Sequence, residues 1–265
     1  MGVAGFAPDE LTCDAFLDGR VRLWQPRRGY RAATDPVLLA AFVPARAGER
    51  VLDLGCGAGA AALCLAARVP GLELHGLELQ GAYGELARRN AAENGLALTV
   101  HDGDLRHPPA ALRRFAFDHV LANPPFHPAD ASPAPDAGRD IAHRQGEAAL
   151  ADWIAAGLRR LVPGGRLVMV ERTARLSEML VALDGRAGAI EILPIASRAG
   201  QRASRVLVRA RKGRKAPLTL WSPLTFHEGS SHEADRESYT AAAQRVLRGM
   251  DALLPDARLG GSNAE

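Results

Sequence analysis

Val51–Gly59 reads VLDLGCGAG, an apolar strand that runs directly into a glycine-rich turn, and an Ala- and Leu-rich helix follows it. Glycines at Gly55, Gly57 and Gly59 allow the backbone to turn sharply and to approach a ligand without an intervening Cβ. The helix that follows presents free N–H groups at its start. The stretch therefore predicts a nucleotide-cofactor turn at the end of a strand in an α/β fold.

The spacing of the glycines separates two classes of cofactor. A dinucleotide fingerprint, G-x-G-x-x-G, would place its third glycine where this chain has Ala60. Here the third glycine is Gly59 instead, and Asp53 stands two residues before the first glycine. This form resembles motif I of the class I S-adenosylmethionine methyltransferases.

Acidic and amide side chains follow two further apolar strands. Glu78 ends the strand in LELHGLELQ, about twenty residues downstream, where a carboxylate can bind both hydroxyls of a ribose. The sequence Asn123-Pro124-Pro125-Phe126 follows the strand FDHVLA directly. Open α/β sheets bind their ligands beyond the carboxyl ends of the strands. The second motif favours methyl transfer, because a nicotinamide dehydrogenase has no use for it.

The chemistry of an exocyclic amine explains why the NPPF motif is needed. The nitrogen lone pair is delocalised into the ring, so the amine is a poor nucleophile until hydrogen-bond acceptors draw its N–H groups out of plane. The side-chain oxygen of Asn123 and the carbonyl of Pro124 can accept those two hydrogen bonds, and Pro124 and Pro125 hold that carbonyl in place. Phe126 would stack on the flipped base. These four residues are the predicted catalytic set.

Composition limits the class of protein. At 265 residues with 47% hydrophobic content, the chain can bury a full core. Its cysteines, Cys13, Cys56 and Cys64, are odd in number and lack metal-ligand spacing, so we expect neither a disulfide framework nor a metal site. The acidic N-terminal stretch and the absence of an apolar run of about 20 residues indicate an unprocessed cytoplasmic protein that does not enter membranes. No obligate protein partner is evident, and the oligomeric state stays open.

The positive charge is concentrated in two blocks. The net charge is only +3, and 31 of the 33 cations are arginine, a bias that a GC-rich genome explains without any ligand. However, 198–215 contains eight cations and 19–34 contains five, and neither range contains an acid. Such blocks are typical of proteins that bind a polyanion. The predicted RNA contacts are Arg27, Arg28, Arg144, Arg198, Arg202 and Arg205.

The pattern of strands and helices predicts a doubly wound, mostly parallel, seven-stranded sheet of Rossmann-like type that ends in an antiparallel hairpin. Hairpin strands are expected at 188–197 and 204–211, with the arginines between Ile195 and Val208 exposed. The stretch 127–146 is too long for a plain connection and is either a substrate lid or disordered. The remaining predicted strands are 50–54, 73–79, 97–102, 117–122 and 166–171, and the helices are 58–68, 81–94, 109–114, 150–161 and 174–185.

The two ends of the chain lie outside this alternation. Residues 1–18 are poorly patterned and are expected to form a cover or a frayed end, whereas 19–30 resembles a hairpin strand. Thr34 or Asp35 either caps the next helix or belongs to a turn that closes over the methionine end of the cofactor. The predicted units are an N-terminal segment over 1–35, a methyltransferase domain over 36–227, and a C-terminal helix and tail over 228–265.

Several stretches together resemble the YfiC-type tRNA(Val) adenine-N6 methyltransferases over roughly residues 14–250. They are VLDLGCGAG, Glu78, Gly103-Asp104, NPPF, the ATDPVLLAA helix, ASRVLV and the terminal ESYTAAAQRVL helix. The resemblance implies transfer of a methyl group from S-adenosylmethionine to the N6 amine of an adenine in tRNA, next to the anticodon. Its implied cofactor-binding residues are Thr34, Asp35, Asp53, Gly55, Cys56, Gly57, Gly59, Glu78, Leu79, Asp104, Leu105 and Asn123.

The resemblance also assigns roles. Asp53 and the glycines would line the methionine and the ribose, Glu78 would bind the ribose hydroxyls, and Asp104 the adenine amino group. The side chain of Cys56 is interpreted as a small apolar filler. Many members of the family have tyrosine where this chain has Phe126, and NPPFH also resembles the ribosomal-RNA guanine-N2 methyltransferases. That activity, a protein glutamine-N5 methyltransferase and a non-catalytic RNA-binding module are the alternatives.

Overall fold

A computed structural model of the chain describes residues 5–125, 148–229 and 238–253. Its strands within these ranges are β1 (Leu11–Phe16), β2 (Val21–Pro26), β3 (Arg50–Leu54), β4 (Glu73–Glu78), β5 (Thr99–Asp102), β6 (Phe117–Ala122), β7 (Leu161–Arg172), β8 (Ala187–Arg198), β9 (Arg205–Lys212), β10 (Thr219–Leu220) and β11 (Leu224–His227). The α-helices are α1 (Thr34–Phe42), α2 (Ala60–Arg68), α3 (Gly81–Glu93), α4 (Ala110–Arg113), α5 (Leu150–Arg160), α6 (Leu176–Leu183) and α7 (Ala241–Leu247).

The central sheet has the strand order β10-β8-β9-β7-β6-β3-β4-β5, and β11 pairs with β8 beside β10. Strand β9 is antiparallel to both of its neighbours, and every other described pair in this sheet is parallel. The predicted fold class and the hairpin β8–β9 are therefore confirmed. The predicted count of seven strands covers β3 to β9, and the short strands β10 and β11 extend the sheet to nine.

Helices cover both faces of the sheet because successive residues of a buried strand point to opposite sides. Val51 of β3 belongs to the core formed with α1, α2 and α3, whereas its neighbour Leu52 packs into the core that contains α4, α5 and α6. The same alternation places Leu121 in the first core and Val120 in the second. Both residues of each pair are fully buried. Strands that are apolar on both faces are what a parallel sheet between two helical layers requires.

Where the parallel strands end, the sheet forms its carboxyl edge, which ligand sites of this architecture use; the opposite end is the amino edge. Leu54, Glu78, Asp102 and Ala122 are the last residues of β3, β4, β5 and β6 and lie at the carboxyl edge. Because β8 is parallel to these strands and β9 returns, the turn 199–204 lies at the same edge.

Most predicted boundaries agree with the structure to within two residues, and the differences have local causes. Helix α2 begins at Ala60 rather than at 58, because Gly59 precedes it in a left-handed conformation with φ +88°. Strand β7 begins at Leu161 and runs through the Pro-Gly-Gly stretch, with a shift of register opposite Phe117 and His119. The bulge accommodates the glycines within the strand, so the strand begins before the Pro-Gly-Gly stretch rather than after it.

The N-terminal region differs from the prediction for residues 1–18. Leu11–Phe16 is a strand that pairs antiparallel with Val21–Pro26, so this part of the stretch is one arm of a hairpin. The alternation of that arm is weak because its residues are only partly buried. Asn90 of α3 and Asn94, which directly follows α3, hydrogen-bond the backbone of β2 and thus attach the hairpin to the helical layer.

The C-terminal helix packs near α1 and α2. Arg68 donates to the carbonyls of Val246 and Asp251, and the amide of Leu253 donates to the carbonyl of Ala41. The boundaries predicted at 35 and 227 stay predictions. No helix in the described ranges is long and apolar enough to cross a membrane.

Candidate cofactor and methyl-transfer site

The glycine turn between β3 and α2 uses its three glycines for different purposes. A Cβ on Gly55 would lie 2.5 Å from the ring of Trp153, and one on Gly59 would meet Ala87 and Leu63. Only at Gly57, with φ +54°, would the Cβ point towards the Tyr30 ring, 3.7 Å away. Gly55 therefore makes room for protein packing and Gly59 begins the helix, while Gly57 is the position that leaves space on the ligand side.

Asp53 lies under this turn and is 3% exposed. Its Oδ2 accepts a hydrogen bond of 3.2 Å from the amide of Ala62 in the first turn of α2, and no cation pairs with it among the described residues. Burial, only partly offset by that hydrogen bond, raises the pKa of Asp53 to about 8. A cationic group of a ligand would stabilise the carboxylate there.

Among the described residues, the hydrogen-bond partners of Glu78 at the end of β4 are backbone amides. Its Oε2 accepts from Gly57 and its Oε1 from Gln80, both at 2.9 Å. Burial raises its pKa, and those hydrogen bonds lower it again in part. Each carboxylate oxygen has a second lone pair, so both can still accept a hydroxyl. The arrangement joins the acid to the glycine turn, as the predicted ribose site requires.

Only the backbone of Cys56 is part of the glycine turn, and its side chain packs elsewhere. Its Sγ is buried and lies where a Cβ on Gly76 would be 2.7 Å away, and burial raises the pKa of the thiol well above its ordinary value. The thiol therefore packs against the neighbouring strand as a neutral apolar group. This agrees with the interpretation of its side chain as a filler.

The residues predicted around the adenine are only partly assembled. Leu79 is 55% exposed directly after Glu78, which suits a surface on which a ring can lie. Asp104 instead forms an ion pair of 2.6 Å with Arg106, and that hydrogen-bonded guanidinium lowers its pKa. Leu105 lines a cavity of about 230 Å³ whose lining contains neither the glycine turn nor Asn123. The carboxylate of Asp104 thus has a cation as its partner.

Asn123 is the first residue after β6 and stands beside the glycine turn. Its Nδ2 donates a hydrogen bond of 3.0 Å to the hydroxyl of Tyr30, while its Oδ1 is buried and has no partner among the described residues. Pro124 is buried and Pro125 exposed. Phe126 lies outside the described residues. An acceptor that is buried without a donor is costly, so the oxygen is placed for a donor that a ligand brings.

Tyr30 is a site residue that the sequence did not reveal. Its ring lies over Gly57 and its hydroxyl reaches Asn123, so it connects the two motifs. Burial of the hydroxyl, together with Asp35 and Asp53, raises its pKa well above the ordinary value. Tyr30 follows the Arg-rich stretch of the hairpin without any periodicity or spacing that could have marked it.

Thr34 and Asp35 begin α1, but neither caps it. The N-cap position is Ala33, and no side chain makes a capping hydrogen bond there, so the prediction of a capping role is wrong. Asp35 instead pairs with Arg205 at 3.2 Å. A residue predicted to bind cofactor is thus joined to one predicted to bind RNA.

The predicted RNA contacts separate into exposed and engaged residues. Arg27, Arg28 and Arg202 are exposed at the carboxyl edge. Arg198 is 5% exposed and donates to the carbonyls of Glu228 and Gly229, so the prediction that the hairpin exposes all its arginines is wrong for it. Arg198 stands between small residues in the sequence, and this pattern does not predict that its side chain is buried. Arg144 and the whole of 127–146 lie outside the described residues, so the proposed lid is not described either.

The second half of the basic block 198–215 faces away from the site. Arg209 is 4% exposed and pairs with Glu191, and β9 then carries Arg211, Lys212 and Arg214 to the amino edge. A continuous run of cations in the sequence is therefore divided between two ends of the sheet. Among the described residues, no group of three or more His, Cys, Asp or Glu could hold a metal ion.

Comparisons with known proteins agree with this geometry. The family model described as methyltransferase small domain matches residues 33–193. A tRNA1(Val) (adenine(37)-N6)-methyltransferase of Aeromonas hydrophila is 33% identical over 191 residues, which are 71% of this chain and 79% of the relative. A protein of the same name from Porphyromonas gingivalis is 31% identical over 64% of this chain and 69% of the relative.

Solved structures with the same fold include methyltransferases of several kinds. A protein described as a predicted O-methyltransferase from Agrobacterium tumefaciens has a TM-score of 0.65 at 30% identity, covering 82% of this chain and 97% of that one. A Thermus thermophilus 16S rRNA N2 methyltransferase in complex with AdoMet and guanosine has a TM-score of 0.55 at 23% identity, covering 76% of this chain and 50% of that one. At that identity, the second likeness concerns the fold alone.

Proposed function

Because this chain belongs to the methyltransferase small domain family and, within it, to the tRNA1(Val) adenine-N6 methyltransferases, we propose that its site methylates the N6 amine of adenine 37, next to the anticodon of a tRNA. The protein is an S-adenosylmethionine-dependent N-methyltransferase. We place the reaction in the cytoplasm, where the free thiols of Cys13, Cys56 and Cys64 would stay reduced.

The residues at the carboxyl edge fit the cofactor. S-Adenosylmethionine, when bound, supplies a methyl group on a positively charged sulfur. Gly57 leaves space for it, Glu78 offers acceptor lone pairs for two ribose hydroxyls, and the buried carboxyl of Asp53 gains from any nearby positive charge. We assign these three residues to cofactor binding, with Leu79 against the adenine. Asp104 could join them only by exchanging its bond to Arg106.

One observation carries the assignment of the chemistry: Oδ1 of Asn123, directly after β6, is buried and has no partner in the described part of the chain. This oxygen would accept one N–H of the target amine, and the carbonyl of Pro124 the other. Both acceptors localise the nitrogen lone pair, which forms the new N–C bond while the C–S bond breaks and its electrons stay on sulfur. The methylated nitrogen then loses a proton to solvent, so no strong base is needed. Orientation and fixed dipoles supply most of the rate.

The decisive experiment is nucleoside mass spectrometry. Unmodified bulk tRNA and ribosomal RNA are incubated separately with the protein and S-adenosylmethionine, with Asn123→Ala as the matched inactive variant. N6-methyladenosine formed in tRNA by the unaltered protein alone is the expected result. N2-methylguanosine in ribosomal RNA would overturn the substrate assignment, and equal methylation by Asn123→Ala would overturn the assignment of the site.

The exposed arginines of the carboxyl edge support a role in holding the RNA backbone. Arg27 and Arg28 lie in the loop before Tyr30, and Arg202 lies in the turn between β8 and β9. The two blocks flank the site from the N-terminal hairpin and from the far side of the sheet. We infer that these three residues contact phosphates, whereas Arg198 is too deeply buried to do so.

The salt dependence of tRNA binding tests this inference. Replacing Arg27, Arg28 and Arg202 by alanine should weaken binding and flatten the plot of log affinity against log salt by about 0.7 to 0.9 per lost contact. The matched control replaces Arg186, Arg214 and Lys215, which are exposed at the amino edge. An equal loss of slope in both triple variants would mean that the charge acts through the net field rather than through these contacts.

A further inference from the structure

The two polar atoms of the Asn123 side chain have different surroundings. Nδ2 donates to the Tyr30 hydroxyl at 3.0 Å, and Oδ1 is buried and unpartnered among the described residues. A free carboxamide can turn over and exchange its oxygen and nitrogen, which have similar shapes and opposite hydrogen-bonding roles. If Asn123 turned over, it would present N–H groups to an amine that needs an acceptor. Something must therefore fix the amide, and the hydroxyl of Tyr30 is its described partner.

A phenol can donate or accept, so its surroundings decide which it does here. Desolvation of the hydroxyl, followed by the charge of Asp35, raises the pKa of Tyr30, so the phenol stays protonated. Nδ2 of Asn123 donates to the hydroxyl oxygen at 3.0 Å, so the hydroxyl is the acceptor and its own proton points away from Asn123. The lone pair that remains faces Asn123, and it can accept from Nδ2 but not from Oδ1.

Tyr30 is itself held from two directions. The hydroxyl of Tyr83, on α3, donates to the Tyr30 carbonyl at 3.1 Å. The next residue, Arg31, donates to the Pro26 carbonyl and pairs with Asp14 of β1 at 2.6 Å. The backbone on either side of the tyrosine is thus anchored to the helix layer and to the hairpin. A ring supported in this way can fix a partner with little loss of entropy on reaching the reactive state.

We propose that Tyr30 is a positioning residue, which holds the carboxamide of Asn123 with Oδ1 facing the target amine. The proposal rests on the proposed function, because it assumes that Asn123 accepts from an exocyclic amine. It adds a residue from outside the NPPF motif and makes the N-terminal hairpin part of the catalytic arrangement rather than a cover. Tyr30 need not contact the RNA to have this effect.

Steady-state kinetics of Tyr30→Phe tests the proposal, because this change removes the hydroxyl and keeps the ring over Gly57. We expect kcat to fall between about threefold and tenfold, the loss of one ordinary hydrogen bond, while the KM for S-adenosylmethionine changes little. The matched control is Tyr239→Phe in the C-terminal segment, which should change neither. A raised KM at unchanged kcat would make Tyr30 a cofactor contact and overturn the proposal.

Repeating the Tyr30→Phe change in a protein that already carries a substitution of Asn123 separates a positioning role from a general loss of structure. In Asn123→Asp both side-chain atoms are acceptors, so turning over has no consequence, and the penalty of Tyr30→Phe on kcat should disappear. An equal penalty in both backgrounds would show that the hydroxyl acts independently of Asn123 and would overturn the proposal. Residual methyl transfer by Asn123→Asp can be followed with radiolabelled S-adenosylmethionine.

A spectroscopic measurement needs no substrate. The side-chain ¹⁵N amide resonance of Asn123 is identified as the one missing from Asn123→Asp. It should shift in Tyr30→Phe and stay in place in Tyr239→Phe, and an unmoved resonance in Tyr30→Phe would overturn the proposal. If the unaltered protein methylates no tRNA, the proposed function fails by itself, and this resonance still decides whether Tyr30 fixes the amide.

Discussion

Two glutamates at opposite ends of β4 have opposite environments. Glu73, the first residue of the strand, binds Arg50 at 2.9 Å and His75 at 3.0 Å, and these hydrogen bonds lower its pKa to about 2. Glu78, the last residue, is bound by backbone amides alone, and burial raises its pKa. Charged partners thus stabilise the glutamate charge at the amino edge, whereas backbone amides offset only part of the cost of burying the glutamate at the carboxyl edge.

Other residues at the two edges show the same difference. At the amino edge, the buried His119 pairs with Glu49 at 2.9 Å, and Asp118 accepts from the amide of Arg50. At the carboxyl edge, Asp53 has a single amide as its described partner, and Oδ1 of Asn123 has none. A polar group that is buried without a hydrogen-bond partner destabilises the fold. The difference teaches that the carboxylates of the amino edge are paired within the protein, although Nδ1 of His119 and Nε of Arg50 have no partner among the described residues, whereas a ligand completes the carboxylates of the carboxyl edge.

The largest expected effect follows from removing the unpartnered acceptor. Asn123→Ala should lower turnover on the order of 10²–10³-fold, because one preorganised dipole at a developing charge contributes about that much. The affinity for S-adenosylmethionine, measured by calorimetry without RNA, should change little. Turnover near that of the unaltered protein would show that the side chain of Asn123 takes no part in methyl transfer.

The second effect compares the two glutamates directly. Glu78→Gln should weaken S-adenosylmethionine binding by about 10- to 100-fold, since hydrogen bonds donated to a charged acceptor contribute about 1.5–3 kcal/mol. Glu73→Gln at the other end of the same strand is the matched control and should leave the affinity unchanged. Equal losses in both variants, measured by calorimetry, would mean that the strand as a whole was disturbed and that the edges do not differ as argued.

The third effect is a pH dependence of stability. The pKa of Asp53 is about 8 in the ligand-free protein and near the ordinary value of about 4 when unfolded, so the native state holds a proton that the unfolded chain has lost. The stability that this group contributes is complete below pH ~4 and is lost as the pH rises towards 8. Relative to the unaltered protein, Asp53→Asn should therefore gain about 1.4 kcal/mol per pH unit between pH 5 and 7.5. Urea unfolding at several pH values measures this difference, and parallel stability curves would contradict a buried, proton-holding carboxyl.

The fold and the glycine turn could be predicted because they depend on local pattern. The alternation of apolar strands such as 50–54 and 117–122 with helices gave the parallel sheet, and the rule for carboxyl ends placed Glu78 and Asn123 on one edge. Leu161, at the start of β7, lies before a Pro-Gly-Gly stretch that normally breaks regular structure. The bulge that accommodates it depends on pairing with β6, which a single stretch of sequence does not contain.

The features of the site that the sequence did not predict depend on contacts between residues that are far apart in the chain. Tyr30 reaches Asn123 across 93 positions, and Asp35 meets Arg205 across 170. Arg198 looks like any exposed hairpin arginine, yet the carbonyls of Glu228 and Gly229 bury it. A run of cations in the sequence does not show where each side chain lies in space. Because the basic block 198–215 continues through β9, its first cations lie at the carboxyl edge and its last ones at the amino edge.

The smallest effect concerns the amino edge, where the carboxylates are already paired. Glu73→Gln should lower the free energy of unfolding by no more than about 1 kcal/mol at pH 7, because half-exposed ion pairs are screened by solvent. The pKa of Glu73 is depressed to about 2, so its stabilisation is present above the ordinary pKa of about 4.5 and is lost as the pH falls towards 2. The difference between the two proteins should thus stay constant from pH 7 to 5.5, shrink in more acidic solution, and shrink at neutral pH in 1 M salt. Urea unfolding measures it, and a difference that grew on acidification would show that the amino edge depends on packing at this position rather than on its ion pairs.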